Sequence, residues 1–177
     1  MKTIKLLICA TLILIASAFT VIKSVNWKVK DDYSVKWDGG VFRGLKAEIM
    51  FDEEHPEKSS ITAFIDPRTV NTGNGLKNSH VKEALDADKF PIITFASKSI
   101  IKTTSGYEAT GNLTIKDIIK EVKLPFFFDS QKNSDKFPFV YKETFCGKLT
   151  VVSKDFNLTR QGMPNTVIVE ITVPVTK

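Results

Sequence analysis

The sequence predicts an all-β protein, an eight-stranded antiparallel β-barrel with one short helix inserted in a connection. Two observations favour this fold. Apolar residues recur at every second position in a series of short segments, which is the period of strands that bury one face. Short connections rich in turn-forming residues separate most of these segments, so sequential strands are expected to pair antiparallel. Eight such strands can close on themselves, and closure removes exposed edges.

Four of the predicted strands lie in the first part of the chain. They cover Trp27 to Trp37, with a kink at Asp31-Asp32, then Phe42 to Phe51, Ile61 to Ile65 and Ile92 to about Ile101. A charged turn ends the second strand after Phe51. Asp66-Pro67 ends the third, because proline lacks an N–H donor and restricts the residue before it.

A helix is predicted between the third and fourth strands. Turn-forming residues from Asn71 to Gly75 precede it. The run Leu76 to Leu85 then contains no glycine, no proline and only one β-branched residue, a composition that favours helix over strand. The helix therefore interrupts the series of strands as an insertion.

The clearest element is a β-hairpin from Tyr107 to Asp129. Its apolar rows are Tyr107, Ala109, Gly111, Leu113 and Ile115 on the first arm, and Val122, Leu124, Phe126 and Phe128 on the second. Lys116 to Lys120 are expected to connect the arms, and Pro125 is tolerated only where no ladder bond is needed. A loop is expected from Ser130 to Lys136. The last two strands cover Phe145 to Val151 and Val167 to Val173.

Four stretches of the chain are similar to those of one known family. They are Gly111-Asn112-Leu113-Thr114-Ile115 with Lys120-Glu121-Val122-Lys123-Leu124-Pro125-Phe126; Thr72-Gly73-Asn74 with His80-Val81; Ala87-Asp88 with Lys89-Phe90-Pro91-Ile92-Ile93-Thr94-Phe95; and Lys154-Asp155-Phe156-Asn157-Leu158. In these stretches the chain resembles the YceI-like polyisoprenoid-binding family, over roughly Trp27 to Val173.

Some positions depart from the family pattern. Asp117 and Ala87 stand where relatives usually carry glycine and phenylalanine. Asn157 replaces another glycine, a mild change because asparagine tolerates the left-handed backbone region. The segment between the first two strands is short, since Asp38-Gly39-Gly40 leads directly to Val41. Ligand contacts that relatives make from that segment are therefore not carried over to this chain.

The resemblance implies a lipocalin-like barrel that holds a polyisoprenoid chain, such as an isoprenoid quinone, its precursor or another polyprenyl lipid, for carriage or storage. The apolar rows are consistent with this. Residues predicted to line the interior are Trp27, Val35, Trp37, Phe42, Leu45, Ile49, Phe51, Ile61, Ile65, Phe95, Leu113, Leu124, Phe126, Phe128, Leu149, Val151, Val169 and Ile171. Periodicity alone does not separate a hollow barrel from one filled by side chains.

Two other interpretations stay open at this point. One is an exported structural or interaction module with a filled barrel and no ligand, acting in stress tolerance through a protein partner. The other is an outer-membrane barrel, which would place the apolar rows outside and polar rows in the lumen. The inserted helix and its charged surroundings argue against the second.

The polar end of a headed lipid is predicted to lie at the mouth of the barrel near the helix. A quinone or phosphate head cannot be buried in an apolar tube without hydrogen-bond partners, at a cost of about 1–3 kcal/mol or more. Among the connections, Thr72 to Lys89 offers a helix start with free N–H groups. Asn74, Asn78 and His80 are the candidate head-group contacts there.

Catalysis is not predicted. His55 lies in a charged turn, which leaves His80 as the one candidate base. The sequence has no nucleophile elbow and no glycine-rich phosphate loop, and two histidines with one mature cysteine do not match a metal site of recognisable spacing. We therefore expect a non-enzymatic protein with no cofactor and no metal, whose lipid ligand is held non-covalently.

The basic balance of the chain does not predict nucleic-acid binding. Its formal net charge of +5 falls to +3 when Lys2 and Lys5 leave with the N-terminal segment described next, and the other lysines are spread along the chain. Scattered lysines are typical of a solvated surface. Transient contact with anionic membranes stays open, and the oligomeric state is not predicted.

Residues 1–18 have the pattern of a secretory signal peptide. Lys2 and Lys5 form a positive start, an apolar run follows, and Ala16-Ser17-Ala18 forms a small-residue cleavage site. Cleavage after Ala18 would leave residues 19–177 as one barrel domain in the periplasm. An uncleaved membrane anchor is the alternative, although the apolar run is at the short limit for a spanning helix of about 20 residues.

The two cysteines support this interpretation of the N-terminus. Cys9 lies inside the apolar run after the bulky Ile8, so a lipid-modified cysteine is not expected there. Cleavage leaves Cys146 as the only thiol. No intramolecular disulfide can then form, even in an oxidising compartment, and the fold must be stabilised by its core.

Overall fold

The computed structural model of the chain describes residues 25–133, 140–158 and 163–177. The strands in these ranges are β1 (Val25–Val29), β2 (Ser34–Trp37), β3 (Gly40–Phe42), β4 (Leu45–Phe51), β5 (Ser60–Ile65), β6 (Val70–Asn71), β7 (Ile93–Thr103), β8 (Gly106–Ile115), β9 (Ile118–Asn133), β10 (Val140–Val152) and β11 (Thr166–Thr176). Helix α1 (Gly75–Ala84) lies between β6 and β7, and short 3₁₀ turns cover Pro56–Lys58, Pro67–Thr69 and Ser153–Phe156.

These strands form a closed antiparallel barrel. Their order along the sheet is β1-β4-β5-β7-β8-β9-β10-β11-β2-β3-β6, and an additional pairing of β1 with β11 closes the ring. The first three barrel strands are each bent into two segments, β1 with β2, β3 with β4, and β5 with β6, which pair segment by segment. Counted in this way, the described residues form the predicted eight-stranded barrel.

The apolar rows of the sequence face the interior. Along β8 the residues Tyr107, Ala109, Gly111, Leu113 and Ile115 are all buried, and those between them are half-buried. Ion pairs join outward residues of these strands. Lys123 Nζ of β9 lies 2.9 Å from Glu108 Oε1 of the neighbouring β8, and Lys98 Nζ of β7 reaches across β8 to lie 2.8 Å from Glu121 Oε2 of β9. The hairpin therefore presents an apolar inner face and a charged outer face.

One end of the barrel is filled by aromatic rings. This aromatic cluster consists of Trp27, Phe51, Tyr107, Phe126, Phe128 and Phe145. The Phe51 ring centroid is 4.9 Å from that of Tyr107 and 5.2 Å from that of Phe145, both in edge-on geometry. Such pairs contribute about 0.5–1.5 kcal/mol each beyond the area they bury. The cluster closes this end of the barrel.

Several local predictions are confirmed. A turn at Asp31-Asp32 separates β1 from β2. Asp66 ends β5, and its carboxylate accepts a hydrogen bond from the Arg68 N–H at the start of the next turn. Asn157 adopts the left-handed conformation, with φ 53° and ψ 36°. Asparagine thus takes over the conformation that glycine would supply.

Helix α1 lies within one residue of the predicted range. Asn74 is its N-cap, and the Asn74 Oδ1 accepts a hydrogen bond of 3.0 Å from the Lys77 N–H. Asparagine is among the preferred residues for this role because its side chain satisfies a donor that the helix leaves unpaired. Across the ranges that the structure covers, no helix combines the length and the apolar character needed to cross a bilayer.

The connection of the hairpin is shorter than predicted. Ile115 pairs directly with Ile118, so Lys116 and Asp117 alone join β8 to β9. Lys116 has a φ of 58°. Two-residue hairpin turns need positive φ because their twist must match that of the strands, and here a lysine supplies it without a glycine signal.

The predicted loop after the hairpin is wrong in its first part. Ser130 to Asn133 continue β9 and pair with β10, which begins at Val140 rather than at Phe145. The rest of the predicted loop, 134–136, lies outside the described residues. Polar residues form a strand here because the hydrogen bonds between strands do not require an apolar face. A search for alternating apolar residues therefore misses this part of the strand.

Candidate functional site

The part of the barrel beyond the aromatic cluster is hollow. It encloses a cavity of about 230 Å³, counted as the space open to the centres of water-sized spheres. Among the lining residues that the structure describes, the indole of Trp37 carries the only side-chain nitrogen or oxygen, and none of these residues is charged. A cavity with so few polar partners is unfavourable for water and favours an apolar occupant.

Strand β11 passes from the hollow end to the closed end. Its inward residues Val173 and Val175 are 5% and 0% exposed. Val167, Val169 and Ile171 point to the same side of the strand but are only half-buried, and all three line the cavity. Their remaining exposed surface faces empty space inside the barrel.

Small residues on the wall leave this space open. Ala47 of β4 lies opposite Ala63 of β5, and both line the cavity. Gly147 of β10 lines it as well, and a Cβ there would come within 3.2 Å of Leu124 Cδ1 and 3.3 Å of Phe126 Cβ. Larger side chains at these positions would fill part of the cavity.

The helix and the β10–β11 connection cover the hollow end. Val81 and Leu85 of the helical segment line the cavity, as do Leu158, Met163 and Pro164 of the connection. Because i and i+4 residues lie on one face of a helix, Val81 and Leu85 reach the cavity together. The predicted position of α1 at one end of the barrel agrees with this geometry.

Two stacked aromatic side chains stand at the hollow end. The ring centroids of Trp37 and Phe42 are 4.8 Å apart with an interplanar angle of 27°. Both residues are half-buried and both line the cavity. Gly39 lies against the indole, because a Cβ at this glycine would fall 2.4 Å from Trp37 Nε1. A larger residue at position 39 would displace the stacked pair.

Most residues predicted to line the interior are on the wall of the cavity. They are Val35, Trp37, Phe42, Leu45, Ile49, Ile61, Ile65, Phe95, Leu113, Leu124, Phe126, Leu149, Val151, Val169 and Ile171. The structure places the other three, Trp27, Phe51 and Phe128, in the aromatic cluster instead. Their rings pack against each other at the closed end, so they face neighbouring side chains and not the open space.

The three predicted head-group residues do not line the cavity. The Asn74 side chain caps α1. Asn78 Oδ1 accepts hydrogen bonds from the Thr72 N–H at 2.8 Å and from the Thr72 hydroxyl at 2.7 Å. His80 is exposed on the helix. The two asparagines thus stabilise the turn and the start of the helix. A sequence motif does not show whether such residues contact a ligand or support the backbone.

Several lining residues were not predicted. They are Ala47, Ala63, Val81, Leu85, Ile93, Ile115, Phe145, Gly147, Leu158, Met163, Pro164, Val167 and Val173. All of these except Val81, Leu85, Leu158, Met163 and Pro164 lie within predicted strands, and Ile115 belongs to an apolar row of the predicted hairpin. The i, i+4 spacing of Val81 and Leu85 was a usable signal, whereas nothing local marks Met163 or Pro164.

Arg68 and Asp66, two charged residues near the cavity, form an ion pair at the protein surface. The Arg68 guanidinium donates hydrogen bonds of 2.9 and 2.7 Å to the Asp66 carboxylate, just after Ile65 of the lining. These bonds lower the pKa of Asp66 and raise that of Arg68. Within the described part of the chain, no cluster of three or more His, Cys, Asp and Glu side chains could hold a metal ion.

Comparison with known proteins identifies the family. A model of the YceI-like domain matches residues 19–176. The chain belongs to the YceI-like family. A UPF0312 protein of Yersinia enterocolitica is 31% identical over 141 residues, covering 78% of this chain and 72% of the relative. Protein YceI of Salmonella newport is 29% identical over 154 residues, covering 85% and 78%.

Solved structures share the YceI-like barrel. BcnA of Burkholderia cenocepacia matches with a TM-score of 0.66 at 24% identity, over 82% of this chain and 95% of that one. A polyisoprenoid binding domain of Saccharophagus degradans, implicated in plant cell wall breakdown, matches with a TM-score of 0.55 at 11% identity, over 84% and 97%. At these identities the two matches establish the fold.

Proposed function

We propose that this YceI-like protein binds a polyisoprenoid lipid, such as an isoprenoid quinone, a quinone precursor or another polyprenyl compound, in the interior of its barrel. The apolar cavity beyond the aromatic cluster carries the proposal. Each buried methylene contributes about 0.8 kcal/mol, so a hydrocarbon chain gains affinity along its whole length. The protein carries or stores the lipid and performs no catalysis on it.

The choice of lipid class has a separate support. A polyisoprenoid binding domain has the same fold, and a prenyl chain is a methyl-branched hydrocarbon that needs no hydrogen-bond partner along its length. The described part of the wall offers one indole N–H and otherwise only apolar side chains. A sugar, peptide or nucleotide would leave its polar groups without partners there, at about 1–3 kcal/mol each.

Native mass spectrometry of the purified protein, followed by organic extraction, tests the proposal. We expect a prenyl lipid to leave with the protein. A lipid-extracted sample should then take up a prenyl quinone, which quenches the fluorescence of Trp37 on the cavity wall. Failure of uptake would favour the filled-barrel interaction module.

Filling the cavity provides a sharper test. Leucine at the facing positions, Ala47→Leu with Ala63→Leu, should occupy the hollow space and abolish uptake while leaving the protein folded, because extra methylenes enter an existing void. The matched control is Thr110→Leu on the outer face of β8, which should bind as the wild type does. Equal binding by the filled variant would place the lipid outside this cavity.

We also propose that the protein is exported to the periplasm and that residues 1–18 are removed. The support is the pattern of Lys2, Lys5, the apolar run and Ala16-Ser17-Ala18. N-terminal sequencing of the exported protein should begin at Phe19. Recovery of Met1 on a membrane-bound form would support the anchored alternative.

A further inference from the structure

An opening lies in the wall of the barrel between β1 and β4. The pairing of these strands ends at Trp27 and Ile49, and that of β2 with β3 ends at Val35 and Phe42. Between these positions the described residues form no ladder across the wall. Lys28 to Lys30 instead pair with β11 on the opposite side. The first two barrel strands are therefore separated over several residues.

The gap forms a cleft of about 670 Å³. Outward-facing Lys46 and Glu48 of β4 line it together with inward-facing Leu45, Ala47 and Ile49. The last three also line the apolar cavity. The cleft and the cavity thus share residues of β4. The cleft lies on the outer, polar face of the barrel, and the cavity lies inside the barrel.

The cleft carries cationic and hydrogen-bonding groups that the cavity lacks. Lys28, Lys30 and Lys46 line it against two carboxylates, those of Asp31 and Glu48. Within the described residues, the ion pairs found on the barrel engage other lysines and leave these three without a carboxylate partner. Three lysines around one cleft favour an anion that can accept several charge-assisted hydrogen bonds.

Backbone groups add to this polarity. The Leu45 N–H donates to the Tyr33 hydroxyl at 3.1 Å, and that hydroxyl donates to the Arg43 carbonyl. Tyr33 thereby bridges one end of the gap. Because backbone groups alternate between the two sides of an antiparallel strand, the N–H of Ala47 points to the same side as that of Leu45, into the cleft.

We infer that this cleft binds the phosphate or diphosphate head of a prenyl lipid whose hydrocarbon occupies the cavity, an assignment that rests on the proposed function. The aromatic cluster begins at Trp27 beside the cleft, so a chain that enters here can extend only toward the hollow end near α1. The head stays at the water-exposed wall among the lysines. Its charge then avoids the cost of burial in an apolar interior.

Paired ligands and paired variants test this assignment. Farnesyl diphosphate and farnesol share one hydrocarbon, and wild-type protein should bind the diphosphate more tightly. Lys30→Gln with Lys46→Gln should weaken diphosphate binding by about tenfold or more, since hydrogen bonds to charged groups contribute about 1.5–3 kcal/mol. Farnesol binding should change by less than about twofold. Lys77→Gln with Lys82→Gln, the same charge change on α1, is the matched control and should leave both ligands unaffected.

The outcomes separate this inference from the proposed function. If neither ligand binds to wild-type protein, the proposed function fails. If both bind but the cleft variants lose no preference for the diphosphate, or the α1 variants lose it instead, the cleft assignment fails and the cavity remains. Inorganic diphosphate should compete only weakly; competition as strong as that of farnesyl diphosphate would indicate a site for the free anion and would also overturn the assignment.

A position-specific readout completes the test without relying on affinity. A farnesyl analogue with a photoreactive group on its head should cross-link to peptides that contain Lys28 to Asp31 or Lys46 to Glu48. Cross-links confined to α1 would contradict the assignment. Lys46 is exposed and Lys30 is half-buried. Their substitution by glutamine should not impair folding, and thermal unfolding of the double variant checks this.

Discussion

Strand β4 crosses both ends of the barrel and shows how they differ. At the closed end, its inward residue Phe51 is 2% exposed, and Ile49, at the edge of the cavity, is 6% exposed. At the hollow end, Leu45 and Ala47 lie on the same row but are half-buried, because their inner surfaces face the cavity. The alternation of inward and outward residues is unbroken along the strand, so the backbone pattern is the same at both ends.

Side-chain volume therefore decides which end is filled. Six aromatic side chains converge at the closed end, whereas aliphatic side chains make up most of the described wall of the cavity, with Ala47, Ala63 and Gly147 among its residues. Interiors of small barrels are just wide enough to be filled by side chains. This barrel is filled in one part and hollow in the other, so a packed core and a ligand cavity are not exclusive alternatives.

Alanine substitution of one phenylalanine at each end gives the largest expected contrast. Phe51→Ala should lower the free energy of unfolding by about 3–5 kcal/mol, because it removes a fully buried ring at the centre of the aromatic cluster. Phe42→Ala should cost clearly less, since Phe42 is half-buried and packs mainly on Trp37, but it should weaken lipid uptake. Urea unfolding and uptake of a prenyl quinone measure the two effects. Equal stability losses would show that the hollow end is as tightly packed as the closed end in solution.

Gly111 lies between the two ends, and adding a side chain there should give the next largest loss of stability. A Cβ at this position would fall 2.4 Å from the Ala96 carbonyl oxygen and 2.8 Å from Ser97 Cα, next to an irregularity in the β7–β8 pairing. These are backbone atoms that cannot rotate away, so Gly111→Ala should cost about 1–3 kcal/mol. Gly75→Ala is the matched control, because nothing lies within 4 Å of its Cβ position and alanine favours the helix. A neutral Gly111→Ala would show that β7 and β8 separate more easily than their pairing suggests.

The strand pattern could be predicted because it depends only on the period of two. The row from Tyr107 to Ile115 is buried as expected. In the row from Val122 to Phe128, Phe126 is buried and the other members are half-buried against the core. The kink at Asp31-Asp32 is present. A strong local signal sets each of these features. The same signals also placed the helix, whose cap at Asn74 stabilises its first turn.

The cavity and the cleft could not be predicted in the same way. Whether Phe51 meets other rings or empty space depends on which residues the closed sheet brings opposite it, and alternation carries no information about volume. The gap between β1 and β4 depends on where their pairing ends, at Trp27 and Ile49, and that pairing joins residues that are distant in sequence. Met163 and Pro164 reach the cavity through a connection without any periodic pattern.

The Asn74 cap gives a smaller expected effect and separates two positions for a lipid head. Asn74→Ala should lower the free energy of unfolding by about 1 kcal/mol through the lost bond to the Lys77 N–H. If the cleft holds the head, affinities for farnesyl diphosphate and farnesol should both stay close to those of the wild type. Selective loss of the diphosphate would instead support the mouth beside α1 and would argue against the cleft. Ser79→Ala, on the exposed side of the helix, is the control.

The smallest expected effect is a pH dependence confined to the closed end. Burial raises the pKa of the Tyr107 hydroxyl above its ordinary value of 10.0, with a lesser contribution from the Glu53 carboxylate. The unfolded chain then releases this proton at lower pH than the folded barrel does, so the free energy of unfolding falls as pH rises above about 10. Tyr107→Phe keeps the stacking with Phe126, whose centroid is 5.4 Å away, but has no proton to lose. Urea unfolding of both proteins between about pH 8 and pH 11 should therefore show a steeper alkaline decline for the wild type. Parallel declines would mean that water reaches the Tyr107 hydroxyl, and the aromatic cluster would then close this end less completely than its packing indicates.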